Sequence, residues 1–323
     1  MTEIARYAPP KARFHLTGPV SLYAGDRPLS LGGRRERRLL TALLREPGRQ
    51  VSRARLVDWV WDAPPPNENE ALYEVVSHLR RYLRVVDLGD ALVPRSGSYR
   101  LDVPAECVDV HRFAQLVGRA EGCDEEQRLA LLDEALGLWR GEPLVDLDGV
   151  EVDGYRAELS RLQLAVEVQA RQIDVRNGRS RKALPRLERA FREQPGDTTI
   201  TGLYLCALHA TGQRGYLASA YDQHEESLGG DYVDGRLKSL YTSIRRGASD
   251  LSPHAEFFLG GPPAPESRSP GEDAGEHLDP APESAPESAP EAAPGHRWNA
   301  QNVNYIHSQL TTGTVVFGTN LGG

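Results

Sequence analysis

The chain has 323 residues, 39% hydrophobic but only 7% aromatic, with a formal net charge of −8. That length suits two ordinary domains. No apolar run reaches the roughly 18 residues of a membrane-spanning helix, and Met1-Thr2-Glu3-Ile4 starts no export signal, so no membrane association and a cytoplasmic location are expected. Cys107, Cys123 and Cys206 are too scattered for a disulfide framework or a metal site, and read as reduced thiols.

Charge is unevenly divided: +5 over residues 1–103, −6 over the middle and −7 over residues 251–323. A basic front on acidic partners suits a nucleic-acid-binding module. Residues 1–12 are expected to be disordered. Arg13–Leu16, Val20–Tyr23 and Pro28–Leu31 read as three short strands, with turn chemistry at Ala24-Gly25-Asp26-Arg27. Leu39, Leu40, Leu43 and Leu44 then line one face of a helix over about 34–45, stopped by Pro47-Gly48. Ser52 caps a second helix carrying Leu56, Val57 and Val60, closed by Pro64-Pro65-Pro66.

A third helix starts at Asn67, with Glu70 placed for a capping box. Its Leu72, Val76, Leu79 and Leu83 fall on one stripe, and Arg80, Arg81 and Arg84 favour its negative end. Ala91–Pro94 and Tyr99–Val103 flank the loop Arg95-Ser96-Gly97-Ser98, a hairpin with a four-residue connection. Strands, three helices and a hairpin make a winged helix-turn-helix over residues 13–104.

Residues 105–250 read as wholly helical, with helices near 109–122, 124–140, 153–177, 180–194, 198–211, 214–228 and 235–246. Paired helices in units of about 35 residues suggest tetratricopeptide-like stacking. Pro185 predicts a helix start or a kink. Residues 251–298, with Pro-Glu-Ser-Ala repeats, read as a linker that cannot bury enough apolar area to fold. Residues 299–323 contain no Asp, Glu, Lys or Arg and are rich in Asn, Thr, Gly and β-branched side chains. The fold class is thus mainly α: a winged helix with a small sheet and wing, an all-α repeat domain, and a disordered tail.

Several blocks, in order, carry a resemblance. Leu31-Gly32-Gly33 with Arg37-Arg38-Leu39-Leu40, Gln50-Val51-Ser52 with Leu56-Val57-Asp58 and Val60-Trp61, the Ala71–Leu83 helix, and Gly97-x-Tyr99-Arg100-Leu101 resemble the winged helix of the Streptomyces antibiotic regulatory protein family. Val110-His111-Arg112-Phe113 and Ala135–Leu144 resemble the bacterial transcriptional activation domain those proteins carry. The resemblance implies a transcription activator that dimerises on direct repeats in double-stranded DNA and contacts RNA polymerase. Glu68, Glu70 and Glu74 stand where the family places neutral or basic residues at the start of this helix, and His78 where it has an Arg after the Val-Ser pair.

A winged helix seats one helix in the major groove while its hairpin touches an adjacent groove or backbone. Asn69, Tyr73, Ser77 and Arg80, opposite the apolar stripe, are the expected base readers, with Arg81 and Arg84 toward phosphate. Arg95 and Ser96 stand at the wing tip, and Arg34, Arg35 and Arg38 open the first helix as further backbone contacts. No catalytic constellation, metal-ligand spacing, cofactor motif or phosphate loop is present, so no enzyme is expected.

The tail carries a second resemblance. Asn302, Asn304, Gly313, Val315, Val316, Phe317, Gly318 and Asn320 look like a short amyloid signalling motif, whose uncharged β-prone strands stack in register. It implies assembly with a protein bearing a cognate motif. The alternatives are a strand or hairpin docked on its own domain, or disorder. The second functional reading is therefore a signalling adaptor with a degenerate winged helix.

Overall fold

The structure, a computed structural model, describes residues 12–229, 233–247 and 252–260. Two small sheets frame the front of the chain. Strands β1 (Ala12–His15), β2 (Ser21–Ala24) and β3 (Arg27–Leu29) form an antiparallel sheet in that order. Phe14 pairs with Leu22, and Leu22 with Leu29, placing Phe14 and Leu22 on the buried face. After helix α1 (Arg34–Leu44) comes β4 (Gln50–Ser52), which leads directly into α2 (Arg53–Val60).

Helix α3 (Glu68–Leu83) precedes the wing strands β5 (Leu92–Arg95) and β6 (Ser98–Leu101). The second sheet runs β4-β6-β5. Strand β4 has no sequence signal of its own, since three residues with only Val51 buried show no period. Arg95 pairs with Ser98, so the wing turns through two residues, Ser96 and Gly97, rather than four. Gly97, at φ +68°, takes the left-handed conformation that this tight turn requires.

Helix α3 buries Leu72, Val76, Leu79 and Leu83 as its spacing predicts, and Val75 with them. Its expected capping box is not formed. Asn67 has φ −104° and ψ 47°, outside the extended backbone from which an N-cap side chain reaches back. Its Nδ2 instead donates to Glu70 Oε2 at 3.3 Å. Ser52 does cap α2, accepting from Arg55 N at 3.3 Å.

The rest is helical: α4 (Asp109–Ala120), α5 (Glu125–Leu136), α6 (Val150–Arg176), α7 (Ser180–Glu193), α8 (Thr198–Ala210), α9 (Leu217–Ser227) and α10 (Gly235–Arg245). Pro185 lies inside α7 on the exposed side and neither starts nor ends it. The 27 residues of α6 span about 40 Å, which lets one helix join three cores. Its first turns (Val152, Tyr155, Leu159) share a core with the winged helix, together with Leu144 and Leu147. Its middle (Leu162, Val166, Ala170, Ile173) packs on α4 and α5, and Leu164, Val168 and Val175 on its other side pack against the core of the later helices. Packing is therefore continuous across residue 104: Trp59 of α2 meets Tyr155 edge-on at 6.0 Å.

A short helix α11 (Ser252–Ala255) corrects the expectation of a linker from residue 251. Ala255 and Phe258, three apart, bury together in the core that contains α8. Gln172 Nε2 donates to the Phe258 carbonyl at 3.0 Å, and Arg176 Nη1 to those of Leu259 and Gly260 at 2.7 and 3.0 Å. Residues 1–11, the remainder of the expected linker and the 299–323 motif lie outside the described residues.

Candidate nucleic-acid interface

With Leu72, Val75, Val76, Leu79 and Leu83 turned inward, α3 exposes Asn69, Glu70, Tyr73, Glu74, Ser77, His78 and Arg81 along one arc. Tyr73 is 65% exposed, a large aromatic held in solvent at the centre of that arc. Arg84, just past the helix, and Arg95 and Ser96 at the wing tip are exposed as well. The structure thus leaves Asn69, Tyr73, Ser77, Arg81 and Arg84 free on one side.

The wing tip is fixed to the start of α2. Ser52 pairs with Ser98, and Arg53 N donates to the Gly97 carbonyl at 3.0 Å. Arg53, its guanidinium 5.8 Å from the Tyr99 ring, and Arg55 are both exposed there. A helix N-terminus flanked by arginines suits phosphate, and neither residue was anticipated. The available signal was their position directly behind the capping Ser52.

Two of the expected DNA contacts are committed elsewhere. Arg38 is 3% exposed; its Nη1 donates to the Val60 carbonyl at 2.9 Å and its Nη2 to Asp62 Oδ1 at 2.8 Å. It closes the end of α2, and its hydrogen bond holds the Asp62 carboxyl below the usual carboxylate range. Arg80 is half-buried and donates from Nη2 to the Leu92 carbonyl at 3.0 Å, tying α3 to the base of the wing. Both guanidiniums bond within the protein, because the burial of their helices turns their stems toward neighbouring carbonyls.

The first turn of α1 flanks the arc. Arg34, Arg35, Glu36, Trp61, Glu74 and His78 line a cleft of about 410 Å³ between α1, the end of α2 and α3. His78 Nδ1 lies 3.2 Å from Glu36 Oε1, and Arg35 sits 5.8 Å from the Trp61 ring. Arg34 Nη1 is held by both Asp148 oxygens, at 2.8 and 2.7 Å. Gly32 permits this entry: at φ +82°, a Cβ there would come within 2.5 Å of the Tyr82 ring. The arc is therefore electrostatically split, with Glu70, Glu74 and Glu36 toward its start and Arg81, Arg84 and Arg95 toward its end and the wing.

In the helical domain one cluster of buried charges is mutually paired. Arg171 joins Asp133, Glu167 and Asp174, and Lys182 Nζ reaches Asp133 at 2.8 Å. Burial alone would raise the Asp133 carboxyl, but Lys182 and Arg171 hold it below its ordinary value. Among the described residues, no group of three His, Cys, Asp or Glu is placed to hold a metal ion.

A winged helix with a fixed wing is thus joined through a common core to a helical domain. Residues 26–93 match the family described as transcriptional regulatory protein, C terminal, and residues 108–245 the bacterial transcriptional activator domain. The two matches fall on the winged-helix part and on the helical part of the chain respectively. The chain is 28% identical over 251 residues to the regulatory protein AfsR of Streptomyces griseus, covering 76% of this chain and 26% of AfsR. It is 26% identical to the regulatory protein DnrI of Streptomyces peucetius, covering 72% of this chain and 92% of DnrI. In fold it is similar to Mycobacterium tuberculosis EmbR, solved in complex with a low affinity phosphopeptide, with a TM-score of 0.68, 23% identity, and coverage of 77% and 69% of the two chains. The chain thus spans about a quarter of AfsR and most of DnrI.

Proposed function

We propose that the chain is a DNA-binding transcription activator that seats α3 in the major groove. The observation that carries this is the joint presentation of the exposed α3 arc and a wing tip bolted to the α2 N-terminus. Asn69, Tyr73 and Ser77 face base edges; Arg81, Arg84, Arg95 and Arg53 supply phosphate contacts, which give most of the affinity while base edges give discrimination. Arg35 and Ser96 lie at the edges of the same face. Glu70 and Glu74 favour cytosine N4 donors where they meet bases and repel phosphate elsewhere.

The resemblance to the Streptomyces antibiotic regulatory protein family, with the two domain matches, supports the finer parts: a homodimer on direct repeats, RNA polymerase contacted through the helical domain, no enzymatic activity and a cytoplasmic setting. No helix among the described residues is long and apolar enough to cross a membrane. The test is to titrate the chain with duplex from its own upstream region at two salt concentrations. Site-specific binding that weakens steeply with salt is expected. Equal affinity for unrelated duplex, or none at all, refutes the reading. Templated assembly of residues 299–323 with a cognate partner is carried by their uncharged, β-prone sequence alone. Fibre formation by the full chain, lost on deleting those residues, tests it.

A further inference from the structure

The loop before α6 grips the first turns of α1. Asp146 pairs through Oδ2 with Arg37 and accepts from Val20 N through Oδ1 at 2.8 Å. Asp148 takes Arg34 with both oxygens. Gly149 follows at φ +115°, and the space a Cβ would fill there holds the Arg38 guanidinium. The loop before α6 thus supplies two carboxylates to the start of α1, one of them to Arg34, which lines the cleft beside α3.

These two pairs differ in exposure. The Arg37 and Asp146 side chains are 28% and 20% exposed, whereas those of Arg34 and Asp148 are 59% and 66% exposed. The inner pair is fixed, and Asp146 is further held by a backbone N–H. The outer pair is solvated, and such pairs contribute little and exchange readily for another anion. Arg34 lines the same cleft as Glu74 and His78 of α3, so a phosphate strand running beside α3 passes the guanidinium that Asp148 holds.

We propose that Asp148 occupies the place of a DNA phosphate: the helical domain competes with DNA for Arg34, and DNA binding releases the outer end of the 146–149 loop. The proposal rests on the DNA-binding reading above and adds its regulation. It makes the occupancy of the winged helix felt at the start of α6, which spans the helical domain. The Asp148 carboxylate, with both oxygens on Arg34 Nη1, is an oxyanion partner of the kind a phosphate also offers a guanidinium.

The test uses the full chain and duplex from its own upstream region, titrated over a range of salt concentrations. Four variants are compared with wild type: Asp148→Asn, Arg34→Gln, the double variant, and Asp26→Asn. The last removes the same charge from the exposed Arg13–Asp26 pair on the opposite sheet. With Asp148 in place, Arg34 must give up its carboxylate partner to reach phosphate. Asp148→Asn is therefore expected to tighten binding several-fold at low salt, a gain that shrinks as salt screens the carboxylate and so steepens the salt slope.

Asp26→Asn should change neither quantity appreciably, and Asp148→Asn should have no effect once Arg34 is Gln. Wild type that binds duplex but is matched by Asp148→Asn in affinity and slope overturns the competition alone. So does an Asp148→Asn effect that equals that of Asp26→Asn or survives Arg34→Gln. Absence of duplex binding by every variant overturns the DNA-binding reading and the competition together.

Discussion

The Asp109 carboxylate accepts the Thr17 hydroxyl at 2.5 Å, and the same two oxygens gather the backbone N–H groups of Leu16, Thr17 and Val110. One side chain at the start of α4 thereby satisfies the end of β1, more than 90 positions earlier. Burial pushes its carboxyl above the ordinary range, against the pull of these hydrogen bonds. Asp109→Ala leaves buried donors without an acceptor, at about 1–3 kcal/mol each. The urea midpoint should fall markedly for Asp109→Ala and less for Asp109→Asn. An unchanged midpoint would show that water replaces the carboxylate without cost.

Arg81 and Arg38 separate interface from scaffold. Arg81→Gln should reduce the salt slope of DNA binding by about 0.9 and leave the melting temperature unchanged. Arg38→Gln should lower the melting temperature, because the Val60 carbonyl and Asp62 lose a buried partner, a loss of about 1–3 kcal/mol. The reverse pattern in calorimetry and binding would exchange their roles.

His15 should make the fold sensitive to acid. Its pKa is lowered to about 4, first by burial and then by Arg140 and Arg13. The unfolded chain therefore binds more protons, so the stabilisation is complete above about pH 6.5 and is lost as pH falls toward about 4. Burial lowers His111 in the same sense, whereas Asp109, raised by burial, acts with the opposite sign. His15→Phe should flatten the fall in melting temperature between pH 7 and 5. A variant curve parallel to wild type would remove His15 from the account.

Phe258 anchors residues 252–260. A Cβ on Gly202 of α8 would come within 2.2 Å of the Phe258 ring. Gly202→Ala and Phe258→Ala should both release this segment, the second at a cost of about 3–5 kcal/mol. Limited proteolysis should then cut near residues 248–260 while the winged helix stays intact. Equal protection in wild type and both variants would contradict the docking.

The periodic parts of the chain are legible because a helix with one wet face writes that face into its sequence. The stripe Leu72, Val76, Leu79, Leu83 fixes which side of α3 is free, and hence Asn69, Tyr73 and Ser77. Arg38 is not legible in the same way. It stands in a run of arginines, and α1 is covered on more than one side, by α2, α3 and the core it shares with α6, so no dry stripe distinguishes it from Arg35. The partners of Arg34 and Arg37 lie more than 100 positions away, in a loop without regular structure. Strand β4 and helix α11 are too short for any period, and both exist because a larger surface receives them.

The core that runs unbroken from β1 into the first turns of α6 bears on how such regulators can be rebuilt. A fragment ending at residue 104 would bare Trp59 and the leucines that meet Leu144, Leu147 and Tyr155, inviting aggregation. Retargeting by grafting whole front halves between relatives would carry that defect along. Exchange of the seven outward positions of α3, with the rest of the chain kept as a chassis, avoids it.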